Sequence, residues 1–209
     1  MPISLVMVDD HPLVLGGLET LLRSEPDFEV LATCDTAEDG WRAVISHQPD
    51  ILLLDLKLRG ADGLSLLRRL DPSKPPAVVV LTASQDENLL LDAARLGARG
   101  IVLKAMAPRV LEDCLRAVHR GETQLTIDGV DLAERLAQRQ AVETELESLL
   151  TSRELEILGL VALDLDNEEI STRLSISVGT VKIHLHHVYD KLQLGGRHEL
   201  QRLLRNKGY

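Results

Sequence analysis

Four short apolar runs, each closed at its carboxyl end by a residue of distinctive chemistry, constrain this chain more than any other feature. Ile3–Val8 runs into Asp9-Asp10, Ile51–Leu54 into Asp55, Ala77–Leu81 into Thr82, and Gly100–Leu103 into Lys104. Continuous runs of this length and composition read as strands buried on both faces. A fifth strand is expected at Phe28–Thr33. Helical spacing fills the intervals: Leu13–Arg23, Thr36–His47 with Thr36 as N-cap, Gly63–Leu70, Asp86–Leu96, and Pro108–His119 with Pro108 in its first turn. Five strands alternating with five helices predict an α/β fold, a doubly wound parallel sheet joined by right-handed crossovers. The carboxyl ends of such strands form the rim where open sheets bind ligands.

The chain has 209 residues, comfortable for two domains. Aromatics are only 2% of it, so its cores must be aliphatic. Cys34 and Cys114 are too few for a disulfide framework and lack metal-ligand spacing, so both read as buried free thiols. No apolar stretch is long enough to span a membrane and no basic-then-apolar leader opens the chain, which predicts a cytoplasmic protein. The net charge of −10 is unevenly spread. Residues 1–121 carry 13 Lys and Arg against 18 Asp and Glu, residues 122–149 carry 2 against 7, and residues 150–209 carry 8 against 8 with four histidines. The last sixty residues thus lack the acidic excess that would oppose a nucleic-acid partner.

Past residue 121 the strand signal stops. Val130–Leu150 has helical spacing through Leu132, Leu136, Val142, Leu146 and Leu149, with Arg139 breaking any heptad seam; a linker helix packed on one domain is expected. After Leu150 only helical periods remain. Thr151 to Glu154 forms a capping box, Asp166 to Glu169 and then Ser177 start two further helices, and Gly195-Gly196 breaks the chain before a last one. The expected division is 1–121, a helical linker at 122–149, and a small all-α domain at 150–209.

Taken singly, Asp9-Asp10 reads as a turn or cap, Asp55 as a strand terminator and Lys104 as a solvated strand end. At successive strand ends of one sheet those readings lose their force. Three carboxylates, a hydroxyl and an ammonium at one rim suit phosphoryl transfer around Mg²⁺. The segments Val-Asp-Asp-His (8–11), Leu-Asp-Leu-Lys-Leu-Arg-Gly-Ala-Asp-Gly (54–63), Leu-Thr-Ala (81–83) and Leu-Lys (103–104) resemble the flavodoxin-like receiver domain of two-component response regulators. The resemblance implies that Asp55 is a phosphoacceptor for a partner histidine kinase. It also implies that Asp9, Asp10, Asp55 and the backbone carbonyl of Lys57 hold Mg²⁺, while Lys104 and Thr82 meet the phosphoryl oxygens. Two positions depart from the pattern. Ile101 stands three residues before the lysine, where such receivers usually carry Tyr or Phe, and Arg59 takes the place of the usual proline. Competent phosphorylation with atypical coupling to output is expected.

Residues 150–209 are similar to the LuxR-type helix-turn-helix that ends regulators of the NarL/FixJ class. The likeness rests on Leu-Thr-Ser-Arg-Glu-Leu-Glu-Ile-Leu (150–158), Asn-Glu-Glu-Ile-Ser (167–171) and Leu-Ser-Ile-Ser-Val-Gly-Thr-Val-Lys-Ile-His (174–184). Spacing alone would support a plain helical bundle equally well. On Val178–Leu192, Val181, Leu185, Val188 and Leu192 are expected to face the core, leaving Lys182, Ile183, His186 and Tyr189 on the opposite stripe. By resemblance, Lys182, Ile183 and His186 face bases of double-stranded DNA, and Thr180 and Lys191 hold phosphates. By resemblance, the last helix pairs across the two-fold axis of an active homodimer through Leu200, Leu203 and Leu204, although one of its apolar faces must serve the domain's own core and the receiver is open as a second interface. With Glu168 in place of the usual lysine, this reader is electrostatically poor, and binding is expected to need two copies. The expected function is a DNA-binding transcriptional regulator switched by phosphorylation at Asp55, not an enzyme and without a membrane partner. The alternatives are a regulator uncoupled from phosphorylation or one that acts through protein contacts.

Overall fold

The structure, a computed structural model, describes residues 1–59, 61–71, 73, 75–106 and 108–206. It divides into two compact units, Met1–Glu134 and Arg135–Tyr209. The first unit is built on strands β1 (Ile3–Val8), β2 (Phe28–Cys34), β3 (Ile51–Leu54), β6 (Ala77–Thr82) and β7 (Ala98–Leu103), all parallel in the order β2-β1-β3-β6-β7. Among the described residues there are also two short antiparallel hairpins, β4 (Lys57–Leu58) with β5 (Ala61–Asp62), and β8 (Thr126–Ile127) with β9 (Val130–Asp131). Helices α1 (Pro12–Ser24), α2 (Ala37–His47), α3 (Gly63–Arg69), α4 (Glu87–Arg95) and α5 (Pro108–His119) make the crossovers. The expected doubly wound sheet is therefore present, and its strand order reverses between β1 and β3.

The strands form because nearly every side chain on them finds apolar cover. All four residues of β3 are buried, as are five of the six on β1 and on β6. One face gathers Leu5, Met7, Ile51, Leu53, Val79, Leu81 and Val102 with Leu22, Leu111 and Leu115 of the helices. Each such side chain contributes roughly 1.5–3 kcal/mol on burial. Helix starts follow the local chemistry. Thr36 caps α2 by accepting from the Asp39 amide, and Asp86 caps α4 from the Asn88 and Leu89 amides. Cys34 and Cys114 are free and buried, and burial pushes the Cys114 thiol up to about 11, so it stays protonated.

The second stretch departs from the expected helix start at residue 130. Asp128 and Gly129 both take positive φ, 48° and 80°, and turn the chain between Ile127 and Val130. An Asp-Gly pair is the favoured two-residue hairpin turn. Helix α6 (Leu132–Leu149) begins only after it, with Leu132 buried and its amide bonded to the Leu125 carbonyl. Leu146, further along α6, packs with the second unit's core.

That unit contains α7 (Ser152–Ala162), α8 (Asn167–Leu174), α9 (Val178–Leu192) and α10 (Arg197–Asn206). The expected capping box of Thr151 with Glu154 forms, and the helix start expected at Asp166 proves to be a second one, Asp166 with Glu169. Ile157, Leu158, Val161, Ile170, Val181, Val188 and Leu200 are fully buried and supply its aliphatic core. Among the described residues no helix is long and apolar enough to cross a membrane.

Glu154 anchors this unit. It is 3% exposed, its Oε2 accepts from the Thr151 amide at 2.7 Å, and Lys191 Nζ lies 2.7 Å away. Burial works to raise its pKa, but the hydrogen bonds and charge of Lys191 and Thr151 prevail and bring it down from 4.5 to about 2. A depressed carboxylate stabilises the fold above its unfolded value, and that stability is lost as pH falls through the folded one. The unit is expected to lose on the order of 2–3 kcal/mol between pH 5 and pH 2 through this residue. Glu154→Gln keeps the capping pattern and should flatten that acid dependence in pH-resolved melting; a wild-type-like acid profile in the variant would contradict the assignment.

Candidate functional site

The ladder of the sheet carries past the strand ends and aligns the rim. The Asp9 amide donates to the Cys34 carbonyl at 3.1 Å, the Asp55 amide to the Val8 carbonyl at 2.9 Å, and the Lys104 amide to the Thr82 carbonyl at 2.9 Å. Asp9 and Asp55 therefore stand side by side at the carboxyl ends of β1 and β3, at the point where the strand order reverses. Lys104 reaches across to both: its Nζ lies 2.6 Å from Asp55 Oδ2 and 2.6 Å from Asp9 Oδ2. Asp9, Asp10 and Asp55 are 2%, 9% and 3% exposed.

Three carboxylates that dry repel one another strongly and need cations. Lys104 supplies one charge. Burial works against its ammonium, but the hydrogen bonds and charges of Asp55 and Asp9 outweigh that and raise its pKa above the ordinary lysine value. Asp10 has its own company: His11 Nδ1 lies 2.8 Å from Oδ1, and Arg59 meets Oδ2 through its amide at 3.2 Å and its Nε at 3.3 Å. Asp9 Oδ2 and Asp10 Oδ1 are fully buried, and each meets a basic side chain, Lys104 at 2.6 Å and His11 at 2.8 Å. Ligand atoms of Asp9, Asp10, His11 and Asp55 all lie within 4.8 Å of one another, so the cluster has the spacing of a cation site.

The other expected residues fall around this rim. The Lys57 amide donates to Asp55 Oδ1 at 3.1 Å, closing a turn that fixes the acceptor's carboxylate. Thr82 is fully buried and its Oγ1 accepts from the Ser84 amide at 3.1 Å. Ile101, 4% exposed, is packed into the unit, with its amide on the Gln124 carbonyl. Sequence reasoning did not foresee His11 or the side chain of Arg59 at the site, although both flank it in the chain.

In the second unit, α8 ends at Ser175 in the left-handed region, φ 54°, and Ser177 caps α9 by accepting from the Thr180 amide at 3.0 Å. Val181, Leu185 and Val188 face the core as expected, with Leu192 half-buried beside them. Lys182, Ile183 and His186 project outward, Ile183 with 58% exposure. Thr180 is half-buried, and its Oγ1 sits 2.8 Å from Ser177 Oγ.

Three expectations need correction. Tyr189 packs partly against the core and does not belong to the outer stripe. Leu200 and Leu204 are 0% and 2% exposed in the unit's own core, so neither offers a dimer surface; of the three leucines only Leu203 is left half-buried. Lys191 is held by Glu154, so its charge is already matched inside the unit. The capping box announced Glu154, but nothing local to the sequence joined it to a lysine 37 residues on.

The chain belongs to the response regulators that couple a receiver to a LuxR-type DNA-binding domain. Residues 5–116 match the family of response regulator receiver domains, and residues 148–204 match the luxR family of bacterial regulatory proteins. The nitrate/nitrite response regulator protein NarL of Escherichia coli (strain K12) is 36% identical over 204 residues, covering 95% of this chain and 93% of NarL. The oxygen regulatory protein NreC of Staphylococcus epidermidis is 34% identical over 204 residues, covering 94% of each chain. Among solved structures, a complex of the two-component response regulator RcsB with DNA is 26% identical with a TM-score of 0.60, over 98% of both chains.

Proposed function

We propose that Asp55 accepts a phosphoryl group from a phosphohistidine of a partner kinase and that the second unit then binds duplex DNA as a homodimer. Functionally this divides the chain into a receiver at 1–121, a linker at 122–149 whose helix begins at Leu132, and a DNA reader at 150–209, acting in the cytoplasm as a regulator and not as a turnover enzyme. The observation that carries the reading is Asp55 itself, buried at a strand end with Lys104 Nζ at 2.6 Å and the buried carboxylates of Asp9 and Asp10 beside it.

Three buried carboxylates clustered within 4.8 Å, with His11 at their edge, fit a hard divalent cation, and Mg²⁺ would be held by Asp9, Asp10, Asp55 and the carbonyl of Lys57. When bound, it supplies the charge that lets a carboxylate approach a phosphoryl group. The rest follows from the chain's own residues. An oxygen of Asp55 forms the new bond to phosphorus as the phosphorus–nitrogen bond of the donor histidine breaks, and the imidazole leaves. Lys104, already positioned between Asp9 and Asp55, turns its ammonium to the phosphoryl oxygens, and the Thr82 hydroxyl donates to one of them.

On α9, exposed Ile183 suits an apolar contact such as a thymine methyl, while Lys182 and His186 suit acceptors on base edges. Thr180 remains a phosphate contact. With Lys191 committed to Glu154, few cations are left for phosphates, so pairing of two readers supplies the affinity. Leu203 keeps a place in the pairing surface.

The test is duplex DNA binding by the full chain before and after treatment with a small phosphodonor and Mg²⁺. Affinity should rise about tenfold, within the usual range of coupling between two sites, and Asp55→Asn should not respond. One observation favours a second reading: Ile101, buried where an aromatic is usual, leaves the switch without its ring. Equal DNA affinity of both forms would support that uncoupled regulator instead.

A further inference from the structure

Asp10 lies in the cation site yet is already held by the chain's own cation. Arg59 is the residue that departs from the family's proline, and the loop after Asp55 brings it back onto Asp10. Its Nε is 3.3 Å from Asp10 Oδ2, and its amide meets the same oxygen at 3.2 Å. The two partners differ sharply in solvent access: the Asp10 side chain is 7% exposed, the Arg59 side chain 82%. A buried carboxylate gains much from a counter-charge, whereas an exposed guanidinium loses little on release. With Lys104 on Asp9 and Asp55 and Arg59 on Asp10, three carboxylates face two permanent positive charges. The site is thus nearly neutralised without a metal ion.

We propose that Arg59 is a tethered counter-ion that competes with the divalent cation for Asp10. This rests on the reading of the acidic cluster as the Mg²⁺ site and adds what sets its affinity. The cation must displace the guanidinium before Asp10 can ligate it, so Mg²⁺ binds more weakly than the three carboxylates alone would allow. Displacement also leaves the guanidinium, already at the surface, free to meet the phosphoryl donor. Proline at this position, having neither a side-chain cation nor an amide donor, would give no such competition.

The experiment compares the full chain with Arg59→Ala, by calorimetric titration with Mg²⁺ alone and by melting in EDTA. The backbone amide bond to Asp10 survives in the variant, so only the guanidinium is removed. The variant should bind Mg²⁺ roughly three- to tenfold more tightly, the scale of one partly exposed ion pair, and should melt lower without metal. Equal Mg²⁺ affinity would overturn the proposal. Tighter binding with unchanged metal-free melting would also overturn it, because the effect would then be diffuse charge and not a clamp on Asp10. Uptake of Mg²⁺ by neither protein would overturn the metal site itself, and the competition with it.

Discussion

Lys104→Ala is expected to lower the melting transition of the first unit by about 12–20 °C in the absence of divalent cations, and Mg²⁺ should restore much of the loss. The lysine is the cation shared by Asp9 and Asp55, with 2.6 Å to an oxygen of each. Both carboxylates are at least 97% buried, so neither can recover its hydration when the ammonium goes. Removing one partner of a buried pair costs about 3–5 kcal/mol, because the remaining charge is left uncompensated. For a unit of this size each kcal/mol shifts the midpoint by several degrees, about 4 °C at the low end. A divalent cation replaces the lost charge at the same oxygens, so the Mg²⁺-induced rise in melting temperature should be larger in the variant than in the wild type. Calorimetric melting with and without Mg²⁺ reads both. A variant as stable as wild type in EDTA would mean that the three carboxylates are not dependent on Lys104.

Gly63→Ala should damage the site through the backbone. Gly63 opens α3 directly after the hairpin that follows Asp55, and its amide donates to the Leu56 carbonyl at 3.0 Å. A Cβ there would meet the Asp55 carbonyl oxygen at 2.5 Å and the Leu56 Cα at 2.7 Å, both main-chain atoms with no rotamer to escape into. The phosphoacceptor's own peptide must therefore move. Overpacking of this kind costs about 1–3 kcal/mol, and a displacement of the order of 1 Å at a reacting group slows its chemistry about a hundredfold. Gly16→Ala is the control: nothing lies within 4 Å of its Cβ position, and alanine within α1 should add about 0.5–1 kcal/mol of stability. The rate of phosphoryl uptake from a small donor would distinguish them. A Gly63→Ala protein that is modified as fast as wild type would show that the Asp55 loop accommodates the methyl group without moving its carboxylate.

The rim was readable because its signals are local and of two kinds at once. β1, apolar but for Ser4, and β3, apolar throughout, are recovered at Ile3–Val8 and Ile51–Leu54 to the residue, and each runs into a carboxylate that has no reason to be buried unless it has work there. Parallel pairing then places those ends side by side whatever the details of the crossovers. The start of β7 was less legible. It begins at Ala98 with exposed Arg99 before the apolar run, so the alternation is broken where the strand enters. The hairpin at residues 126–131 carried its signal in Asp128-Gly129, but the strong helical spacing after it masked the turn. Ion pairs outside the strand-end pattern left no trace. Arg59 on Asp10, 49 residues away, and Lys191 on Glu154 depend on how separate elements pack, and no local pattern encodes them. For the same reason Leu200 and Leu204 could not be assigned between core and dimer surface: an amphipathic helix shows that it has an apolar face but not what covers it.

The central claim is that Asp55 receives the phosphoryl group, and intact-mass measurement of the full chain after exposure to a small phosphodonor with Mg²⁺ tests it most directly, with Asp55→Asn alongside. A single phosphoryl adduct on the wild type that is absent from the variant is the expected result. An adduct retained by Asp55→Asn, or none on either protein, would contradict it.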